Sequence, residues 1–182
     1  IDGRRLARLL TSPEDHRLFR RDRALPHAED CVVSLLVDCS GSMPNPQQSV
    51  SYLALAGAII AISALRTGSR VQATLWSGAR EFETTGGFVS DEHRVLSILT
   101  GYLGGSTAFP IHLLRDTYAE RRPGDRKVHV LVISDDGVDT MFEKDEKGNS
   151  GWDVARDALA KAQAGGSLVL NLYRDWRQIP CL

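Results

Sequence analysis

Two short, nearly unbroken apolar runs set far apart in the chain, Cys31–Val37 (CVVSLLV) and Val128–Ile133 (VHVLVI), leave few folds open. A strand with one wet face alternates polar and apolar residues with a period of two. These runs hardly alternate, as expected of strands covered on both faces in a parallel sheet flanked by helices. Val71–Trp76 (VQATLW) and Ser167–Tyr173 (SLVLNLY) are further strands, and longer segments with helical spacing separate the four. The alternation predicts an α/β domain with an open, mainly parallel sheet and helices on both faces. Arg80–Thr84 reads as a more polar strand, and Gly78 allows a hairpin from Val71–Trp76, so it is expected antiparallel at an edge.

Helices are expected at Gln47–Leu65, Asp91–Leu99, Phe109–Glu120 and Trp152–Ala164. Asp91 is a plausible N-cap, the pair Gly165-Gly166 would end the last helix, and Arg122-Pro123-Gly124-Asp125 is a turn. Val50–Leu65 (VSYLALAGAIIAISAL) is nearly all apolar. As a helix it spans about 24 Å, short of a bilayer core of about 30 Å. Its alanines and its glycine suit a buried helix packed tightly on a sheet. Near the start, Ser12-Pro13-Glu14-Asp15 opens a short helix, with Ser12 as cap and Pro13 at the first position.

At 182 residues and 42% hydrophobic, the chain can bury one sizeable core. Its 22 Lys plus Arg balance 23 Asp plus Glu, which argues against bulk electrostatic binding of nucleic acid or an anionic membrane. The first 26 residues carry seven arginines, partly offset by acids, and read as a solvated helical face. Cys31, Cys39 and Cys181 are widely spaced and odd in number, which fits a reducing, cytoplasmic setting better than a disulfide framework. The chain opens on Ile1 without a signal-peptide pattern and stops just after a strand, as a fragment of a longer protein would.

In open parallel sheets, ligands gather beyond the carboxyl ends of the strands. Three segments are expected there. Asp38-Cys39-Ser40-Gly41-Ser42 follows the first buried strand and offers a carboxylate and two hydroxyls in one tight loop, with Gly41 permitting the turn. Gly104-Gly105-Ser106-Thr107 precedes a helix, and Ser134-Asp135-Asp136-Gly137 ends the strand VHVLVI. Hard oxygens with few formal charges suit Mg²⁺. Each segment alone has an ordinary reading as a cap, a loop or a turn; their order and placement together carry the signal.

Asp38-x-Ser40-x-Ser42, Thr107 and Asp135 resemble the metal-ion-dependent adhesion site of von Willebrand factor A (vWA) domains, whose pattern is D-x-S-x-S…T…D. The resemblance runs from about Cys31 to Tyr173 and implies a Rossmann-like vWA fold. On that basis the chain divides into an Arg-rich helical lead-in over residues 1–28 and a vWA domain over 29–182, cut short at its C-terminal end. The resemblance implies that the hydroxyls of Ser40, Ser42 and Thr107 ligate Mg²⁺ or Mn²⁺, with Asp38 and Asp135 as carboxylates on or behind the ion. It also implies a protein partner that supplies an Asp or Glu to the metal. Two positions stay open. Either Ser106 or Thr107 fits the second motif, and Phe109 and Leu113, two and six residues on, favour Thr107. Either Asp135 or Asp136 fits the third; Ile-Ser-Asp135 is similar to the family's Ile-Thr-Asp and leaves Asp136 at the rim. The loop style and the lead-in Arg17-Leu18-Phe19-Arg20-Arg21 are similar to intracellular bacterial vWA proteins that work beside MoxR-type AAA+ ATPases or in metal-chelatase assemblies.

A catalytic reading fares worse. A haloacid-dehalogenase-like phosphotransferase needs a second Asp where this chain has Ser40, and there is no G-x-S-x-G elbow, phosphate-binding G-x-x-x-x-G-K-[ST] loop or G-x-G-x-x-G fingerprint. The remaining alternative is a structural vWA domain with no metal-dependent partner. His16, His27, His93, His112 and His129 show no metal-pair spacing, Cys39 reads as packing, and Trp76, Trp152 and Trp176 read as core or edge residues. Glu143–Asn149 reads as a solvated acidic loop on the metal face, without the spacing of a calcium loop.

Overall fold

The computed structural model describes residues 31–172. The expected lead-in helix, Tyr173, Trp176 and Cys181 lie outside them. In chain order the elements are β1 (Cys31–Asp38), α1 (Tyr52–Arg66), β2 (Val71–Trp76), β3 (Phe82–Thr84), α2 (Glu92–Leu99), α3 (Ile111–Ala119), β4 (Lys127–Asp135), a 3₁₀ helix (Asp136–Phe142), α4 (Gly151–Ala162) and β5 (Gln163–Asn171). The strands form one sheet in the order β3-β2-β1-β4-β5, parallel throughout except for the antiparallel edge pair β2–β3. This is the expected α/β architecture, and it is consistent with a vWA-like fold.

The pleat sorts the apolar runs onto two cores. Val32, Leu36, Trp76, Val128, Val130 and Val132 point to the face covered by α3 and α4, where Leu114, Tyr118, Val154 and Ala158 meet them. Leu35, Val37, Ala73, Leu75, Leu131 and Ile133 point to the opposite face, under Leu53 and Ala61 of α1 and Val95 and Leu99 of α2. Both faces of β1 and β4 are therefore covered, which is why their sequences do not alternate. No helix among the described residues is long and apolar enough to cross a membrane.

Several boundaries differ from the expectation for local reasons. α1 begins at Tyr52, five residues later than expected, because Ser51 is its N-cap and accepts the Ala54 N–H at 3.3 Å. It packs as closely as its composition predicts: a Cβ at Gly57 would stand 3.2 Å from Val37 Cγ2. Only one face is buried, however, and Tyr52, Leu55 and Ile59 are 75%, 49% and 56% exposed, so the expected fully buried helix is corrected to a half-covered one. α3 starts at Ile111, because the Phe109 N–H is taken by Thr140 Oγ1 at 3.0 Å and its ring packs edge-on against Trp76. α2 keeps its predicted cap, Asp91 accepting the Arg94 N–H at 3.1 Å. At the end of α4, Gln163 adopts the left-handed conformation (φ 67°) and passes straight into β5. Gly165-Gly166 thus lies inside the strand instead of ending the helix.

Candidate metal centre at the strand ends

The sheet order sets the site. After β1 the chain turns to the α1 face, and after β4 it turns to the α4 face, so their carboxyl ends diverge and open a crevice between adjacent strands. Asp38 is the last residue of β1 and Asp135 the last of β4. Both are buried, at 2% and 3% exposure.

Asp38 accepts the Ser40 N–H on Oδ1 at 2.8 Å and the Ser134 hydroxyl on Oδ2 at 2.6 Å. Asp135 accepts the Gly137 N–H on Oδ1 and the Ser42 hydroxyl on Oδ2, each at 2.8 Å. Ser40 Oγ and Ser42 Oγ lie 3.2 Å apart and join the two halves. Ser40 is buried and Ser42 exposed, so the site opens to solvent on the Ser42 side. Gly41 serves differently from the expectation. The structure needs close approach there, since a Cβ would stand 3.2 Å from the carbonyl oxygens of both Gly104 and Gly105, and the Gly41 N–H bonds to Gly105 O at 2.9 Å.

That contact docks the second motif against the first. The 104–108 segment is held further by Gly104 N–H to Cys39 O at 3.0 Å and Ala108 N–H to Ser77 O at 2.9 Å. A Cβ on Gly137 would lie 2.7 Å from Thr107 Cγ2 and 3.1 Å from Asp135 Oδ1, so Thr107 and Asp135 flank one point. Among the described residues the Thr107 hydroxyl has no hydrogen-bond partner. Ser106 Oγ instead lies 3.2 Å from the Cβ position of Gly78, on the β2–β3 turn. Of the two candidates, Thr107 is the one beside Asp135. Asp136 stands half-buried as the first residue of the 3₁₀ helix.

Burial is the largest influence on Asp38 and raises its pKa; hydrogen bonds from Ser134 and Ser40 act against it, and the charge of Asp135 adds to it. None of the ion pairs among the described residues reaches either carboxylate. Two buried carboxylates without a counter-charge are costly. No three His, Cys, Asp or Glu side chains converge among the described residues, so the donor set is two carboxylates with hydroxyls. Such hard oxygens fit Mg²⁺ or Mn²⁺ and suit a softer metal poorly.

Other candidates resolve into structural roles. The Cys39 thiol is buried, donates to Trp76 O at 3.2 Å, and is pushed up to about 11, chiefly by that burial. His112 packs on Phe82, and the ring nitrogens of His129 lie 3.0 Å from Ala164 O and Ser167 Oγ. Trp76 is core as expected, whereas Trp152 is largely exposed and stacks on Phe142. The tract Glu143–Asn149 is more than a solvated loop. The Asp145 side chain is fully covered, pairs with Arg115, and receives the backbone N–H groups of Lys147 and Asn149 and the Asn149 side chain. Sequence reasoning gave no role to Ser134, which anchors Asp38. Its signal was a hydroxyl at the end of a strand buried on both faces.

No family model matches the chain, and no curated protein matches it. Among solved structures it is similar to the three N-terminal domains of the type V pili tip protein Mfa5 from Porphyromonas gingivalis, at 14% identity and a TM-score of 0.45, over 58% of this chain and 19% of that one. It is similar to the conserved hypothetical protein BatB from Bacteroides thetaiotaomicron, at 21% identity and a TM-score of 0.45, over 77% of this chain and 65% of that one. It is also similar to an aerotolerance-related membrane protein from Bacteroides fragilis, at 19% identity and a TM-score of 0.44, over 77% and 66%. The chain spans less than two thirds of the length of each. Likeness this distant carries no statement of function.

Proposed function

We propose that this chain is a vWA-type module for divalent-metal-dependent protein recognition and is not an enzyme. The observation that carries the reading is the pair of buried carboxylates, Asp38 and Asp135, set side by side without a counter-charge and beside the partnerless hydroxyl of Thr107. The residues that would hold Mg²⁺ or Mn²⁺ are Ser40, Ser42 and Thr107 through hydroxyls, with Asp38 and Asp135 on the ion or behind it through water. When bound, the ion supplies an electrophilic position open to an outside carboxylate.

The protein's own residues do the positioning. Ser134 and the Ser40 N–H fix Asp38 from both sides, and the Gly137 N–H orients Asp135. The close approach at Gly41 holds the Thr107 segment against the first loop. Three neutral hydroxyls in the ion's shell, with at least one carboxylate reaching it only through water, leave the ion electrophilic, which favours a partner that brings an Asp or Glu. The site offers no acid/base: Ser40 occupies the place where a phosphotransferase would need its second Asp, and a serine hydroxyl does not titrate near neutral pH. The partner class suggested by the sequence resemblance is a cytoplasmic assembly with a MoxR-type AAA+ ATPase.

The test is a titration of Mg²⁺ and Mn²⁺ by calorimetry, followed by capture of a purified AAA+ candidate with and without chelator. One ion bound per chain, and a partner released by chelator, are expected. No heat from either ion would refute the site. Ion binding with a partner indifferent to chelator would leave a purely structural metal, a reading that the hydrogen bonds to both oxygens of Asp38 also accommodate.

A further inference from the structure

The two edges of the sheet are built differently. β3 is three residues long, and Glu83 and the preceding Glu81 set exposed charges along it, as edge strands that avoid further pairing do. β5 is the last strand at the other edge, and its sequence QAGGSLVLN holds no charge and no proline. It runs level with β4 from Gly166 to Asn171, and of these residues all but Leu170 are exposed. Among the described residues no further strand stands beside it. The backbone N–H and C=O groups along such an edge are a template for another strand.

Apolar side chains gather on both faces of this edge. Leu168 pairs with Val132 and lies on the α4 face, 40% exposed; Val169 pairs with Ile133 and lies on the α1 face, 43% exposed. Leu159 and Trp152 of α4, 39% and 59% exposed, share an apolar cleft of about 250 Å³ with Leu168, and no charged residue lines it. A lone peptide strand would pair with the edge but leave Leu159 and Trp152, a layer above the sheet, in water. A second copy of the chain brings its own α4 to them. Two identical edges pair antiparallel about a two-fold axis, and such a contact closes at two copies. The Gly166–Asn171 edge is about 20 Å long, and side chains on both faces widen the covered band to roughly 20 Å. With about 200 Å² more from Trp152 and Leu159, each copy covers roughly 600 Å². The total of about 1,200 Å² meets the lower bound for stable protein interfaces, which corresponds to a Kd in the micromolar range.

We propose that two copies of this chain associate through β5, antiparallel about a two-fold axis, joining their sheets into one with α4 beside α4 across the seam. Leu168 and Val169 leave water on opposite faces of the joined sheet, and Leu159 and Trp152 close the α4 side. The carboxyl ends of β1 and β4 in the two copies then point in opposite directions. The two rims at Asp38 and Asp135 are therefore held apart, each open to its own partner.

The experiment is sedimentation velocity of the full chain in chelator, over about 1–300 µM, a range that brackets a micromolar Kd. A concentration-dependent shift from monomer to dimer is expected. Leu168→Lys and Val169→Lys, which give β5 the charge that guarded edges carry, should each stay monomeric over that range. In the wild type, a mixture of isotope-labelled and unlabelled copies should show nuclear Overhauser contacts between copies at the Leu168 and Val169 methyls. A chain that is monomeric throughout, or a dimer equally tight in both variants, overturns the proposal. So do Leu168 and Val169 methyls that contact only their own chain. Chelator keeps every outcome independent of the metal reading.

Discussion

Asp38→Asn should move stability in opposite directions with and without metal. Burial raises the Asp38 pKa in the folded chain, ahead of the hydrogen bonds from Ser134 and Ser40 that lower it. A raised carboxyl pKa means that the folded state favours the neutral group, so the ionised form at neutral pH is a liability in the metal-free protein. Asparagine has the same shape, can accept the Ser40 N–H, and can donate to the Ser134 oxygen. Without metal, Asp38→Asn should therefore melt above the wild type. With metal the order reverses. An ion at a hundredfold excess over its Kd stabilises the fold that binds it by about 2.7 kcal/mol. For a domain of this size each kcal/mol is worth roughly 2–4 °C, so the wild type should gain about 5–11 °C. The variant should gain little. Thermal melting in chelator and in saturating Mg²⁺ or Mn²⁺ reads all four values. An equal metal shift in both proteins, or none in the wild type, would refute the reasoning.

Thr107→Ala should weaken metal binding by about 10–100-fold, the range known for residues on or just behind a metal, while Ser106→Ala should leave calorimetry nearly unchanged; equal effects would reopen the assignment. Gly137→Ala sets a methyl 2.7 Å from Thr107 Cγ2 and should cost about 1–3 kcal/mol of stability together with metal affinity, and a variant with wild-type affinity would show that the Thr107–Asp135 spacing does not matter. Burial works against ionisation of Asp145, but hydrogen bonds from Asn149, Arg115 and the Lys147 N–H outweigh it and hold its pKa at about 2. The ordering of this loop should therefore persist at pH above the usual carboxylate range and be lost as pH falls towards 2, which the Asn149 side-chain amide signals report; signals unchanged at pH 2 would contradict it. Cys39 should stay unreactive to thiol reagents near neutral pH in a background lacking Cys31 and Cys181, and labelling as fast as a free thiol would show that its burial does not hold in solution.

What could be read from the sequence was what the backbone period and short spacings encode. CVVSLLV and VHVLVI announced the two central strands because both of their faces are covered, and the Asp-x-Ser-x-Ser loop could be placed once its strand was known. The Asp91 cap was equally local. The misreadings share a different cause. Gly57 of α1 records how close the helix lies to Val37 but not that Tyr52, Leu55 and Ile59 stay open to solvent. Gly165-Gly166 looked like a helix end because glycine usually is one, whereas Gln163 took the left-handed position itself. Asp145 looked solvated because its partner Arg115 is 30 residues away in sequence. The spacing to Phe109 and Leu113 favoured Thr107 over Ser106, but that Thr107 lies beside Asp135 is visible only through the Gly137 backbone.

The Ser134–Asp38 hydrogen bond joins residues 96 positions apart, and Ser42–Asp135 joins residues 93 apart. A chain with β1 and β4 unpaired would hold no more than one carboxylate of the set in any stretch of loop, and an ion arriving early would find nothing worth losing its water for. Contacts this distant in sequence form late in folding, after the long loop between them has closed. An ion held by this donor set could not act as a nucleus for the domain, and its binding should slow unfolding without hastening folding. A metal that binds only a finished sheet would also report on it: any loosening between the two central strands would separate the donors, and affinity for the ion would become a gauge of whether the middle of the sheet is intact.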